Sequence, residues 1–183
     1  NKATGNAAQL FALAILAGAF ISLGGVYATT VLAGTSSLPY GVQRLLAGLV
    51  FCLGLILVIV GGAELFTGNN LIIMAWASKK VTTAQLLRNW GIVYAGNFVG
   101  SVATAVVMYL SKQYTFGGGA VGLTALNIGN GKTALEFIPA VALGMMCNAM
   151  VCMAVWLCFS ARSTTDKILA ILFPISGFVA AGF

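Results

Sequence analysis

The chain reads as long apolar runs separated by short polar segments. Residues 10–32 form the first run, and no charge falls between Ala3 and Gln43. At about 1.5 Å per residue, a helix of that length crosses the roughly 30 Å of a bilayer's hydrocarbon. Residues 33–41, with Gly34, Ser36, Ser37, Pro39 and Gly41, read as a loop. The second run, residues 45–76, carries one charge, Glu64. As a straight helix it would measure about 48 Å, too long for one crossing. At its centre stands Gly61-Gly62-Ala63-Glu64-Leu65-Phe66-Thr67-Gly68-Asn69-Asn70, rich in residues that interrupt a helix. A break over residues 64–70 is therefore expected, with Thr67 on irregular backbone and Glu64 near the bilayer midplane. Irregular backbone at that depth is tolerated only where protein covers it or it lines a cavity. Two half-helices around such a break are a pattern of channel and transporter sites.

Residues 78–88 form a polar loop, 90–110 a third span, and 111–132 a glycine-rich loop with Gly117-Gly118-Gly119. Residues 137–160 make a fourth span, 161–167 a short loop, and 168–183 the start of a fifth. That last run is slightly short of the ~20 residues that cross a bilayer.

Composition assigns the solvent. The chain is 60% hydrophobic and 7% charged, with a mean hydropathy of +1.02. A soluble domain carries about 25% charged residues, so lipid surrounds this one. The net charge of +6 comes from basic residues scattered between the runs, which excludes a nucleic-acid footprint. If the runs alternate sides, Lys2, Lys79, Lys80, Arg88, Arg162 and Lys167 share one face. Arg44, Lys112 and Lys132 share the other, so the richer face is expected in the cytoplasm with the N-terminus. The first residue is Asn rather than Met, which reads as a trimmed start. No basic segment precedes the first run, so it is not read as a cleaved signal peptide.

The side-chain inventory argues against catalysis. There is no histidine, and Cys52, Cys147, Cys152 and Cys158 lie in apolar runs without a Cys-x-x-Cys pair. No metal and no cofactor are expected. Glu64, Glu136 and Asp166 are far apart in sequence, so neither a paired-acid site nor a general base is supplied. Glu64 reads as an anchor or pathway residue, or else as an acid that accepts the N–H groups freed by the break. Asn148, Asn89 and Asn97 read equally as helix glue or as contacts for a passing solute. Gly96-x-x-x-Gly100 is a spacing that lets helix backbones approach closely.

Three collinear segments then carry a resemblance. They are Glu64-Leu65-Phe66-Thr67-Gly68-Asn69, Arg88-Asn89-Trp90 with Tyr94-Ala95-Gly96-Asn97 and Gly100, and Asn148 to Trp156 followed by Arg162. In this order they resemble the formate/nitrite transporter family, along the chain from Leu10 to Phe183. The resemblance implies an all-α integral membrane protein with an aquaporin-like, inverted-repeat bundle and broken second and fifth spans. The first repeat would cover about residues 10–110 and an incomplete second about 134–183. It further implies a homopentamer in a bacterial inner membrane, with one gated pore per protomer for formate or a similar small anion. Nitrite, hydrosulfide or a neutral solute are the alternatives. However, the chain lacks the paired Asn-Pro-Ala loops of neutral-solute channels; its prolines are Pro39, Pro139 and Pro174.

By the same resemblance, Phe51, Leu65, Phe66 and Phe178 would form an outer hydrophobic constriction and Leu55 part of an inner one. Thr67 would lie on the gating loop. Lys132 would draw the anion inward, and Asn148 would be a polar pore contact. The family's Glu-His-x-x-Ala-Asn segment would follow Phe183. The expectation is thus a chain whose C-terminal part is missing and which does not conduct as it stands.

Overall fold

The computed structural model describes residues 3 and 5–183; Lys2, one of the cytoplasmic-face cations above, lies outside them. The described residues form helices and no strand. Five helices are long and apolar enough to cross a membrane: α1 (Ala7–Ala33), α2 (Tyr40–Gly61), α5 (Thr83–Leu110), α7 (Phe137–Cys158) and α8 (Thr164–Ala181). Between α2 and α5 lie two short pieces, α3 (Phe66–Asn69) and α4 (Ile72–Ala77). A further helix, α6 (Ala120–Thr133), precedes α7.

Several boundaries are set by caps that hydropathy does not register. Asn6 starts α1 by accepting from the Ala8 and Gln9 N–H groups. Thr82 and Gln85 close a capping box, so α5 begins at Thr83 and not after Arg88. The polar residues 83–88, expected in a loop, are its first turns. Ser163 and Asp166 make the same box at the start of α8.

The glycine-rich stretch also differs from expectation. Its first part is a loop with a 3-10 turn at Gln113–Thr115, but α6 occupies the remainder. Gly117, Gly118 and Gly119 all take positive φ (61°, 66° and 89°), a turn that glycine adopts without steric cost and that leads into α6. Gly122, Gly129 and Gly131 then dilute the helical signal inside α6. Packing against α1 and the 3-10 turn holds the helix where propensity is weak.

α1 packs along α5 and α2, α2 along α8, and α8 along α7. The larger apolar cluster joins Cys52, Leu55 and Val58 of α2 to Val151 and Ala154 of α7 and Ile171, Ile175 and Phe178 of α8. Leu10, Ala14 and Val93 form a smaller one between α1 and α5. Outward-facing side chains stay apolar, with Phe173 84% and Phe137 81% exposed. A surface of that kind suits lipid or a neighbouring membrane subunit and not water.

Candidate functional site

The interruption between α2 and α5 is the place where backbone groups lose helical partners. α2 ends on Gly62, in the left-handed region at φ 70°, where the missing Cβ removes the steric objection. The Ala63 N–H closes the cap on the Val58 carbonyl at 2.9 Å. From there the chain turns away, and its free groups are met one at a time. The Glu64 N–H donates to the Leu13 carbonyl at 3.2 Å. Asn97 of α5 serves the next two groups. Its Oδ1 accepts from the Phe66 N–H at 2.8 Å, and its Nδ2 donates to the Glu64 carbonyl at 2.9 Å and the Ala14 carbonyl at 2.8 Å. One side chain thus ties the interruption to both α1 and α5.

The Glu64 carboxylate points into the same scaffold. It is 8% exposed and accepts from Asn69 Nδ2 at 2.7 Å, while that amide also donates to Asn89 Oδ1 at 3.1 Å. Trp90 Nε1 donates to the Asn69 carbonyl at 3.2 Å. Among the described residues no buried polar side-chain atom lacks a partner. Of the readings open in the sequence, the arrangement favours the structural one for Glu64, Asn89 and Asn97. Asn97 replaces hydrogen bonds that a continuous helix would have made, while Glu64 and Asn89 both hold the Asn69 side chain.

The residues expected to line a pore separate into groups. Phe51 and Phe178 form an edge-to-face pair with centroids 5.5 Å apart, joining α2 to α8. Leu55 and Leu65 lie further along α2 and the interruption, and both wall a cavity of about 190 Å³ that also touches Val58, Gly68, Met74 and Phe159. Phe66 does not join them. Its ring meets Tyr94 and Trp90 edge-on at 5.4 and 6.4 Å and packs with the Leu10–Ala14–Val93 cluster. Adjacent residues of an extended-to-helical junction point to different sides, and here Leu65 takes the cavity side. Thr67 sits in the one-turn helix α3, a more regular position than expected, and its carbonyl accepts from Cys152 Sγ at 3.4 Å. Asn148 of α7 accepts from Asn70 Nδ2 at 3.3 Å.

Lys132 is in the last turn of α6 rather than in a loop. Its Nζ donates to the Gly182 carbonyl at 3.3 Å. Arg44, not singled out in the sequence, donates through its guanidinium to the carbonyls of Val179 and Ala180. Two cations therefore gather at the C-terminal end of α8, beside the Phe51–Phe178 pair, where carbonyl dipoles favour positive charge.

This geometry has counterparts among known proteins. A family model described as formate/nitrite transporter matches residues 1–183. The chain belongs to the formate/nitrite transporter family. It is 44% identical over 182 residues to the formate channel FocA of Escherichia coli (strain K12), covering 100% of this chain and 64% of that protein. The formate channel FocA of Haemophilus influenzae is 42% identical over 173 residues, covering 94% of this chain and 61% of that one. The chain thus spans less than two thirds of the length of these relatives. A solved structure described as a pentameric formate channel with formate bound superposes with a TM-score of 0.90 at 44% identity, covering 97% of this chain and 69% of that one. These family members are channels, and the same helical architecture recurs in them.

Proposed function

We propose that this chain forms most of a protomer of a passive, gated channel for formate and similar small carboxylates in a bacterial inner membrane. The observation that carries the reading is the superposition at TM-score 0.90 and 44% identity on a pentameric formate channel with formate bound. Phe51 and Phe178 form one apolar constriction, and Leu55 and Leu65 a second beside the cavity. The interruption after α2 is a broken membrane span within an aquaporin-like inverted repeat. The apolar outer face packs against lipid and four further copies.

An apolar constriction excludes hydrated ions. A bare anion there is costly to desolvate, so formate crosses it in neutralised form, as formic acid. Flux into liposomes containing the purified full-length protein tests the reading. Formate and its close analogues should pass well ahead of glycerol, and glycerol permeation without formate flux would overturn it.

Lys132 raises the local concentration of the anion at the entrance, with Arg44 beside it. Lys132→Ala is expected to lower formate flux several-fold at low ionic strength and less in high salt, as screening dictates. Its oligomer should elute unchanged on size-exclusion chromatography. Equal flux in the two proteins would reduce Lys132 to a helix cap for α8.

The N-terminus faces the cytoplasm. The Arg88 guanidinium, 3.3 Å from the Gly5 carbonyl, places the α1 and α5 starts at one end. Single cysteines at Ser78 and Ser163, in a background without native thiols, should resist an impermeant maleimide in intact cells. Ready labelling of both would invert the topology.

A further inference from the structure

We propose that Asn70 is a positioning residue for Asn148, holding that amide so that only its N–H groups are offered to a passing anion. The inference rests on the channel reading and on Asn148 as its polar contact. It adds a residue to which the resemblance gives no role.

The two asparagines at the end of α3 diverge. Asn69 turns into the scaffold, donating to Glu64 and Asn89, and is 2% exposed. Asn70 turns the opposite way and reaches α7, where its Nδ2 donates to Asn148 Oδ1 at 3.3 Å. One helical turn further along α7, Cys152 Sγ donates to the Thr67 carbonyl at 3.4 Å. Asn148 and Cys152 therefore present one face of α7 to α3, and the Asn70 contact belongs to a register fixed at two points.

The chemistry of the amide gives that contact its consequence. An asparagine side chain carries one acceptor oxygen and two N–H donors, and rotation about its last bond exchanges them. A carboxylate can only accept. An Asn148 free to rotate would offer the anion its oxygen about as readily as its nitrogen. With Oδ1 engaged by Asn70, the amino group is directed away from Asn70 and both its protons remain for a solute. The donor supplied by α3 thereby sets the polarity of the α7 contact. Because α3 is one turn long and held at both sides, its position and the polarity of that contact are coupled.

The test is a double-mutant cycle read as formate flux in liposomes, at several sodium formate concentrations, with the full-length protein. Asn70→Ala is expected to raise the half-saturating formate concentration about fivefold, the size of one hydrogen bond's net contribution. Asn148→Ala should do at least as much. The pair together should be no worse than Asn148→Ala alone, since a positioning residue has nothing left to position. If Asn70→Ala yields no folded oligomer, Asn70→Leu, close in size, enters the same cycle. Additive losses would show that Asn70 only supports α3, and an unaltered half-saturation would show no coupling; either overturns the proposal. If Asn148→Ala itself leaves flux and half-saturation unchanged, Asn148 is no pore contact, and the proposal falls with that assignment while the channel reading stands.

Discussion

Gly100→Ala is expected to eliminate the folded protein, although it adds one methyl group to a helix. α1 and α5 run against each other with glycines at the contact. A Cβ on Gly100 would lie 2.0 Å from the Ile15 carbonyl oxygen and 2.9 Å from the Ala19 nitrogen, both in the α1 backbone. Side chains can rotate out of the way; helix backbone cannot. Sliding the helices offers no relief, because Gly18 stands as close to the Asn97 carbonyl and Gly96 faces Ala14. Moving them apart by an ångström would pull Asn97 Nδ2 from the Ala14 carbonyl, now at 2.8 Å, and release the interrupted segment. Overpacking costs about 1–3 kcal/mol even where neighbours can shift, and here the lost hydrogen bonds add to it. Lipid supplies no compensating hydrophobic force between helices. Gly91, on the same helix, is the control: a Cβ there meets nothing within 4 Å. Gly91→Ala should be neutral or stabilise by up to about 1 kcal/mol through helix propensity. Thermal unfolding followed by size-exclusion chromatography in detergent separates the two. A Gly100→Ala protein that melts with the parent would refute the close-packing account.

The sequence made this contact partly visible. Gly96-x-x-x-Gly100 named one side of it, but Gly18 lies in a run where small residues are frequent, and nothing local marks it as the partner. The interruption after α2 was legible for a stronger reason: residues 45–76 exceed one membrane thickness, and length is a constraint that tertiary context cannot relax. The α6 helix was not legible, since its glycines lower helical propensity and only contacts with α1 and the preceding turn offset that. Of the expected pore residues, Phe51 and Phe178 come together across two helices, while Phe66 turns to α5. Hydrophobicity alone does not distinguish Phe66 from Leu65. The direction of each side chain is decided by the turn at Gly62 and by what Asn97 holds in place. Arg44 was visible only as a loop cation, because the α8 carbonyls it serves are far away in sequence.

Asn97→Leu should be the most damaging polar substitution, ahead of any change at the constriction. The leucine is close in volume, so packing survives and the effect isolates hydrogen bonding. Three backbone groups lose their partner together: the Phe66 N–H and the carbonyls of Glu64 and Ala14. Each buried group left unpaired costs about 1–3 kcal/mol, and no water in the hydrocarbon region stands ready to replace the amide. The Ala14 carbonyl belongs to α1 and can fall back on its own helix. The two groups in the interruption have no such helix. Their loss loosens the start of the interruption, residues 64–66, while Asn89 and Trp90 still hold Asn69 to α5 and the Asn70 and Cys152 contacts still tether the segment to α7. Asn97→Asp separates the two halves of the role, because the carboxylate keeps the acceptor for Phe66 but offers no donor to Glu64 or Ala14. With a carboxylate oxygen set against the Glu64 and Ala14 carbonyls in place of the amide donor, it should unfold well below the parent. Phe51→Ala, which opens the ring pair at the middle of α2, should leave the unfolding temperature closer to the parent's. A ranking in which Asn97→Leu is no less stable than Phe51→Ala would mean that the interruption is held by apolar packing and that the Asn97 bonds are incidental to it.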